Sequence, residues 1–223
     1  MATKKPNPKE RRAFAAFWRT LTVKKRRTKR PMIVGMIGLV GSSGRSSVAK
    51  AIAARIGGTV IEADVLRVKL RKLGAGYDHM RTFVETAARE VLARGGNPVL
   101  DSDFADAAKR RSAAALARKT SARLHFVRVI ADRDVMIGRT VHNAPSLFFR
   151  GASANWHGSD RERGLVVKLR EFWRRTPLHY TWNPKGGGSW KLKPLRGPIT
   201  ATIDTTNGQS WKKAVVNAAK KLI

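Results

Sequence analysis

At 223 residues the chain is long enough for one α/β domain with a real core plus an appendage or insertion, and its 42% hydrophobic content is that of a globular protein. With 46 Lys+Arg against 15 Asp+Glu, its formal charge of +31 favours a polyanion such as nucleic acid (RNA above all) or an anionic membrane, or else simply solvates a basic surface. The absence of cysteine excludes disulfides, thiolate metal sites and Cys nucleophiles, and the five histidines have no metal-ligand spacing.

Residues 1–31 form a nearly acid-free block holding the runs Lys24-Lys25-Arg26-Arg27 and Lys29-Arg30. Phe14, Phe17, Trp18 and Leu21 recur at i, i+3, i+4 and i+7, so a short helix here has one apolar face. The block reads as a basic N-terminal arm, and its apolar face as a surface for docking on the body, a partner or a membrane. Organellar targeting is the alternative, since transit segments are also Arg-rich and acid-poor. The longest apolar run, Met32–Val40, is far short of the roughly 20 residues that a spanning helix requires. We therefore expect a cytoplasmic protein with no transmembrane segment.

From Pro31 onward strands and helices alternate, which predicts a parallel sheet covered on both faces. Met32–Val40 is continuously apolar, as a buried central strand should be. A helix over Ser47–Ile56 stops at Gly57-Gly58, followed by a strand over Thr59–Ala63. Helices over Val65–Leu73 and Asp78–Arg94 lead to Gly95-Gly96 and a third strand, Pro98–Leu100. Then come a helix at Ala105–Lys119, a strand at Arg123–Ile130 and a helix at Arg133–Val141. Residues 143–198 break the rhythm and hold four of the six tryptophans. They include a basic helix over Arg161–Arg175, and TWNPKGGGSWKLK reads as two short strands around a glycine turn. Trp156 and His157 read as loop anchors. The rhythm resumes with a strand over Ile199–Ile203 and a helix over Ser210–Leu222. The organisation expected is thus an arm at 1–31 and one domain at 32–223, interrupted at 143–198.

Between the first strand and its helix lies Gly38-Leu39-Val40-Gly41-Ser42-Ser43-Gly44-Arg45-Ser46-Ser47. Glycines and hydroxyls at that place cradle phosphate through backbone N–H groups, as in the pattern G-x-x-x-x-G-K-[ST]. The match is imperfect. Arg45 stands where the lysine belongs, and counting from Gly38 makes the loop one residue longer. Lys50 lies a full turn further along the helix. The other strands end in Glu62-Ala63-Asp64-Val65-Leu66-Arg67, in Asp101-Ser102-Asp103, in Asp132-Arg133-Asp134 ahead of Arg139, and in Asp204-Thr205-Thr206-Asn207. Carboxylates, hydroxyls and arginines converging on the C-terminal rim of a sheet suit phosphoryl transfer.

The ordered set of the glycine loop, Asp64-x-x-Arg67, Leu100-Asp101-Ser102-Asp103-Phe104 and the helix bearing Arg139 resembles the P-loop kinases of the polynucleotide-kinase and zeta-toxin type, often named AAA-family ATPases. The likeness covers residues 33 to about 142 and 199–222. It implies a three-layer α/β fold of the P-loop NTPase type, with a mostly parallel five-stranded sheet in the order 2-3-1-4-5 and residues 143–198 in the place of a lid. It also implies ATP or GTP with Mg²⁺. Gly41, Ser42, Ser43, Gly44, Arg45, Ser46 and Ser47 would hold the nucleotide, with Ser46 and (through water) Asp101 on the metal. Asp64 would be the general base, Arg67 would hold the acceptor, and Arg139 would be the cation over the transferring phosphate.

Each role has a plainer alternative. Asp64 and Arg67 could form an i,i+3 surface ion pair, Asp101 could cap the helix at Ala105, and Arg139 could lie on a solvated face. In the insertion, Arg161, Arg163, Lys168, Arg170, Arg174 and Arg175 with Tyr180, Trp182 and Trp190 could stack on and neutralise a single strand, or the tryptophans could form a small core. The expected activity is transfer of the ATP γ-phosphate to a hydroxyl of a nucleic acid or small molecule. The alternative is a catalytically degenerate P-loop module that binds RNA or a ribonucleoprotein.

Overall fold

The structure is a computed structural model describing residues 5–39, 42–143, 159–195 and 197–223; Gly41, Trp156 and His157 lie outside these. Five strands form one all-parallel sheet: β1 (Met32–Ile37), β2 (Gly58–Glu62), β3 (Asn97–Asp101), β4 (Arg123–Ile130) and β7 (Ala201–Asp204), in the spatial order β2-β3-β1-β4-β7. That is the expected 2-3-1-4-5, because β5 (Tyr180–Asn183) and β6 (Ser189–Leu192) form a separate antiparallel hairpin within the insertion. Strand β1 is buried throughout and alternates its faces. Ile33 and Ile37 enter one core layer with Leu66, Leu70, Phe83 and Phe126, whereas Met32, Val34 and Met36 enter the other with Ile52, Val127 and Val215. Between them Gly35 is required by space, since a Cβ there would stand 2.7 Å from the Phe126 ring.

Helices α2 (Arg45–Ile56) and α8 (Trp211–Leu222) cover one face. Helices α3 (Ala63–Lys72), α4 (Met80–Ala93) and α5 (Ala107–Lys119) cover the other, and α6 (Arg133–His142) follows β4. Two starts differ from expectation in ways that matter for the site. Helix α2 begins at Arg45, two residues early, because Gly44 adopts a left-handed φ of 77° as its N-cap. Helix α3 begins at Ala63, so Asp64 sits in its first turn.

The apolar stripe of the N-terminal block docks on the body. Helix α1 (Pro8–Trp18) is closed by a reciprocal capping box between Asn7 and Glu10. It buries Ala13 and Phe17 in the α3–α5 core layer, and Phe14 stacks on Phe83 at 4.9 Å. The basic run after it is strapped across the N-terminal ends of β2 and β3. Lys24 N–H donates to Thr59 Oγ1, Arg26 N–H to the Gly95 carbonyl and Arg27 N–H to the Ile56 carbonyl. Gly57, at φ 63°, makes room for it, since a Cβ there would collide with the Lys25 carbonyl.

The insertion contributes helix α7 (Asp160–His179), begun by a Ser159–Glu162 capping box, and then the β5–β6 hairpin, in which Trp182 faces Trp190. Its small core is built from Phe172 and Tyr180 against Leu39, Ala131 and Met136. The tryptophans stay outside that core, Trp173 being 54% exposed and Trp182 49%. Trp190 lies over the buried Arg133 guanidinium, 3.9 Å from ring centre to cation.

Because Phe17 joins the main core, Phe17→Ala should destabilise the protein by about 3 kcal/mol. Urea unfolding measures this, and a change near zero would mean that α1 does not hold the core.

Candidate functional site

The glycine loop rises from β1 and ends at the N-terminus of α2, a 12-residue helix with no acidic residue in its first turn. Its free N–H groups and dipole favour an anion there. A side chain at Gly44 would be strained by its φ of 77°, and its Cβ would press on the Thr205 side chain at 3.1 Å. Thr205, in the turn after β7, donates through Oγ1 to the Ser43 carbonyl at 2.8 Å, tying the last strand to the loop. Ser43 is buried, whereas Ser46 and Ser47 are exposed on the first turn of α2.

Arg45 turns inward. Its Nε donates to Asp101 Oδ1 at 2.7 Å and its Nη1 to the Gly38 carbonyl at 3.0 Å. Burial works against its charge, but Asp101 and then Asp103 outweigh it and hold the guanidinium above its usual pKa. Asp101 is therefore not the cap of α5; Asp106 fills that place, accepting from the N–H groups of Ala108 and Lys109.

Asp64 and Arg67 form the i,i+3 ion pair at 2.6 Å, and both also line a cavity of about 240 Å³ with Arg45, Ser102, Asp103, Lys109, Glu171 and Arg175. The pair therefore faces a cavity as well as solvent. Arg139 is not on a solvated face. Its Nη2 donates to the carbonyls of Thr205 (2.6 Å) and Thr206 (3.0 Å), and its Nη1 reaches the Ser42 carbonyl at 3.5 Å. It clamps the loop after β7 to the glycine loop.

Sequence reading gave no role to Asp103, which proves to be the junction of the site. Its carboxylate is 4% exposed and accepts from Ala105 N–H (3.0 Å) and, at the long end of hydrogen-bond range, from Gly38 N–H (3.5 Å). It pairs with His179 Nε2 at 3.0 Å and with Arg175 Nη1 at 3.6 Å, both from α7. Burial alone would raise its pKa, but the hydrogen bond and charge of His179, with Arg45 behind them, drive it well below the carboxylate range. The helix expected over Arg161–Arg175 in fact continues to His179, which puts Arg175 and His179 at i,i+4 on one face. Nothing local said which carboxylate they would meet.

A family model described as an AAA domain matches residues 32–146. The chain belongs to this AAA-domain family. Among solved structures, a candidate kinase from Chloroflexus aurantiacus is 18% identical, with 87% of this chain and 100% of the other covered at a TM-score of 0.54. The APS kinase of Mycobacterium tuberculosis, solved with AMPPNP and APS, is 17% identical over 87% and 99% of the two chains, at 0.51. At these identities the likeness is one of fold, and the fold is that of the P-loop kinase-like NTPases. No curated protein matches the sequence. Among the described residues no helix is long and apolar enough to cross a membrane, and no cluster of His, Cys, Asp and Glu could hold a metal by itself.

Asp103 ionises more readily in the folded chain, so its charge stabilises the fold above the unfolded pKa of about 3.9, a contribution lost as pH falls. Asp103→Asn should therefore unfold more easily at pH 7, by about 3 kcal/mol for a broken buried pair. The gap should narrow as pH drops below about 4. Melting curves from pH 3 to 7 test this, and a pH-independent gap would rule out the carboxylate's charge as the cause.

Proposed function

We propose that the chain binds ATP or GTP with Mg²⁺ at its glycine loop and transfers the terminal phosphoryl group to a hydroxyl of a small molecule or nucleic acid. The observation that carries this reading is the cavity in which Asp64 and Arg67 face Arg45 and Lys109 beside the glycine loop. A loop that only gripped phosphate would gain nothing from a carboxylate in that position. Asp64 accepts the proton of the acceptor hydroxyl as its oxygen bonds to phosphorus and the nucleoside diphosphate departs. Arg67, already paired to Asp64, orients the acceptor, and Arg139 fixes the loops that bound the nucleotide. The acid-free helix start fits a polyphosphate. The exposed Ser46 hydroxyl, with Asp101 acting through water, fits a Mg²⁺ that arrives with the nucleotide and needs few protein ligands. Such an ion neutralises charge on the phosphate oxygens.

Asp64→Asn should lower ATP turnover by roughly 100-fold or more while leaving ATP affinity nearly intact. Assays with and without an RNA acceptor measure both, and undiminished turnover would remove Asp64 from the mechanism.

A second reading, a module that binds RNA, is favoured by one observation: the exposed Trp182 on the β5–β6 hairpin, next to Thr181, which faces Lys191 across the pair. Under it, RNA affinity falls steeply with salt, and Trp182→Ala weakens binding by roughly 1–3 kcal/mol, the worth of one stacked base. Salt-insensitive binding would count against it.

A further inference from the structure

The glycine loop lacks its lysine, and neither Arg45 nor Lys50 of α2 takes that lysine's place. Arg45 is engaged by Asp101 and the Gly38 carbonyl, and Lys50 pairs with Glu62 at 3.1 Å. A third cation reaches the loop from the other side. Lys168 of α7 is only 7% exposed, and its Nζ donates to Ser42 Oγ at 3.2 Å. Thr140 Oγ1, which donates to the Met136 carbonyl at 2.8 Å, lies 3.2 Å from the same oxygen. No acidic partner for Lys168 is found among the described residues. Burial lowers its pKa, with no opposing charge to raise it.

The placement follows from helical periodicity. Lys168, Phe172, Arg175 and His179 fall at i, i+4, i+7 and i+11 on one face of α7. His179 and Arg175 pin the C-terminal end of that face to Asp103, Phe172 seats its middle in the insertion's core, and Lys168 is thereby held over Ser42. An ammonium has three protons, and Ser42 takes one of them. Burying an ammonium without a counter-charge is costly, and the cost is removed when an anion fills the site.

We propose that Lys168 supplies, from the insertion helix, the ammonium that the glycine loop lacks, and that it contacts the β- and γ-phosphates of a bound nucleoside triphosphate. Arg45 then serves as a strut that fixes Asp101 and the Gly38 carbonyl. This assignment rests on the nucleotide-binding reading above.

The test is calorimetric titration of ATP and AMP into the full chain, with unfolding midpoints measured in the absence of nucleotide. Lys168→Met should lose about tenfold or more in ATP affinity, with AMP affinity little changed and the midpoint kept or raised. Lys168→Gln, which retains a donor to Ser42 and loses only the charge, should show the same selective loss and serves if the methionine variant fails to fold. Arg45→Met should instead lower the midpoint, because it leaves Asp101 buried without its partner. Wild type binding ATP while both Lys168 variants bind it equally well would overturn the assignment and leave the nucleotide reading standing. A wild-type chain that binds no ATP would overturn both.

Discussion

The buried carboxylate of Asp103 is where three parts of the chain meet. It accepts from the backbone of the glycine loop at Gly38, lies at the end of the strand that also delivers Asp101, and pairs with His179 and Arg175 of the insertion helix. An unpaired carboxylate at this depth would be prohibitively unfavourable, so the insertion cannot leave without exposing that charge or protonating it. The lid-like segment is therefore anchored at one end by an electrostatic constraint, and everything its inward face presents is placed by that anchor.

A second consequence is the way positive charge is distributed. The chain carries a large cationic excess, yet the cations nearest the site are mostly engaged by protein groups: Arg45 by Asp101, Arg67 by Asp64, Arg139 by three carbonyls, and Arg175 by Asp103 and Glu171. These contacts set loop geometry. The surplus available to a ligand is small and specific, and the overall charge is a poor guide to which side chain would meet a phosphate.

Much of the architecture was legible because parallel-sheet proteins write it plainly. The continuous apolar run of β1, the glycine pairs after α2 and α4, and the strand-end carboxylates marked the alternation of strands and helices and the rim that bears the candidate site, whereas the strand order came from the resemblance to the P-loop kinases. Periodicity was silent on direction. The guanidinium of Arg45 could have pointed to the ligand space or back into the molecule, and only the position of Asp101 on a distant strand decides it. Asp103 was visible in the sequence but not distinguishable from its neighbours, because its partners lie 76 residues away in the case of His179. The N-terminal block showed its apolar stripe clearly. Its basic composition suggested an arm without saying where it lies, and the backbone hydrogen bonds of Lys24, Arg26 and Arg27 lay the segment against the sheet.

That strap has a further meaning for the chain's charge. A disordered basic tail must lose backbone freedom when it grips a polyanion, and this loss offsets part of the gain from released counterions. Here the backbone of residues 24–27 is already fixed at the ends of β2 and β3, so the ordering has been completed during folding. The cationic side chains it carries project from an ordered backbone rather than a searching one. Any anionic surface that met this edge of the sheet would have to match its spacing, which makes shape as well as charge a criterion for whatever approaches from that side.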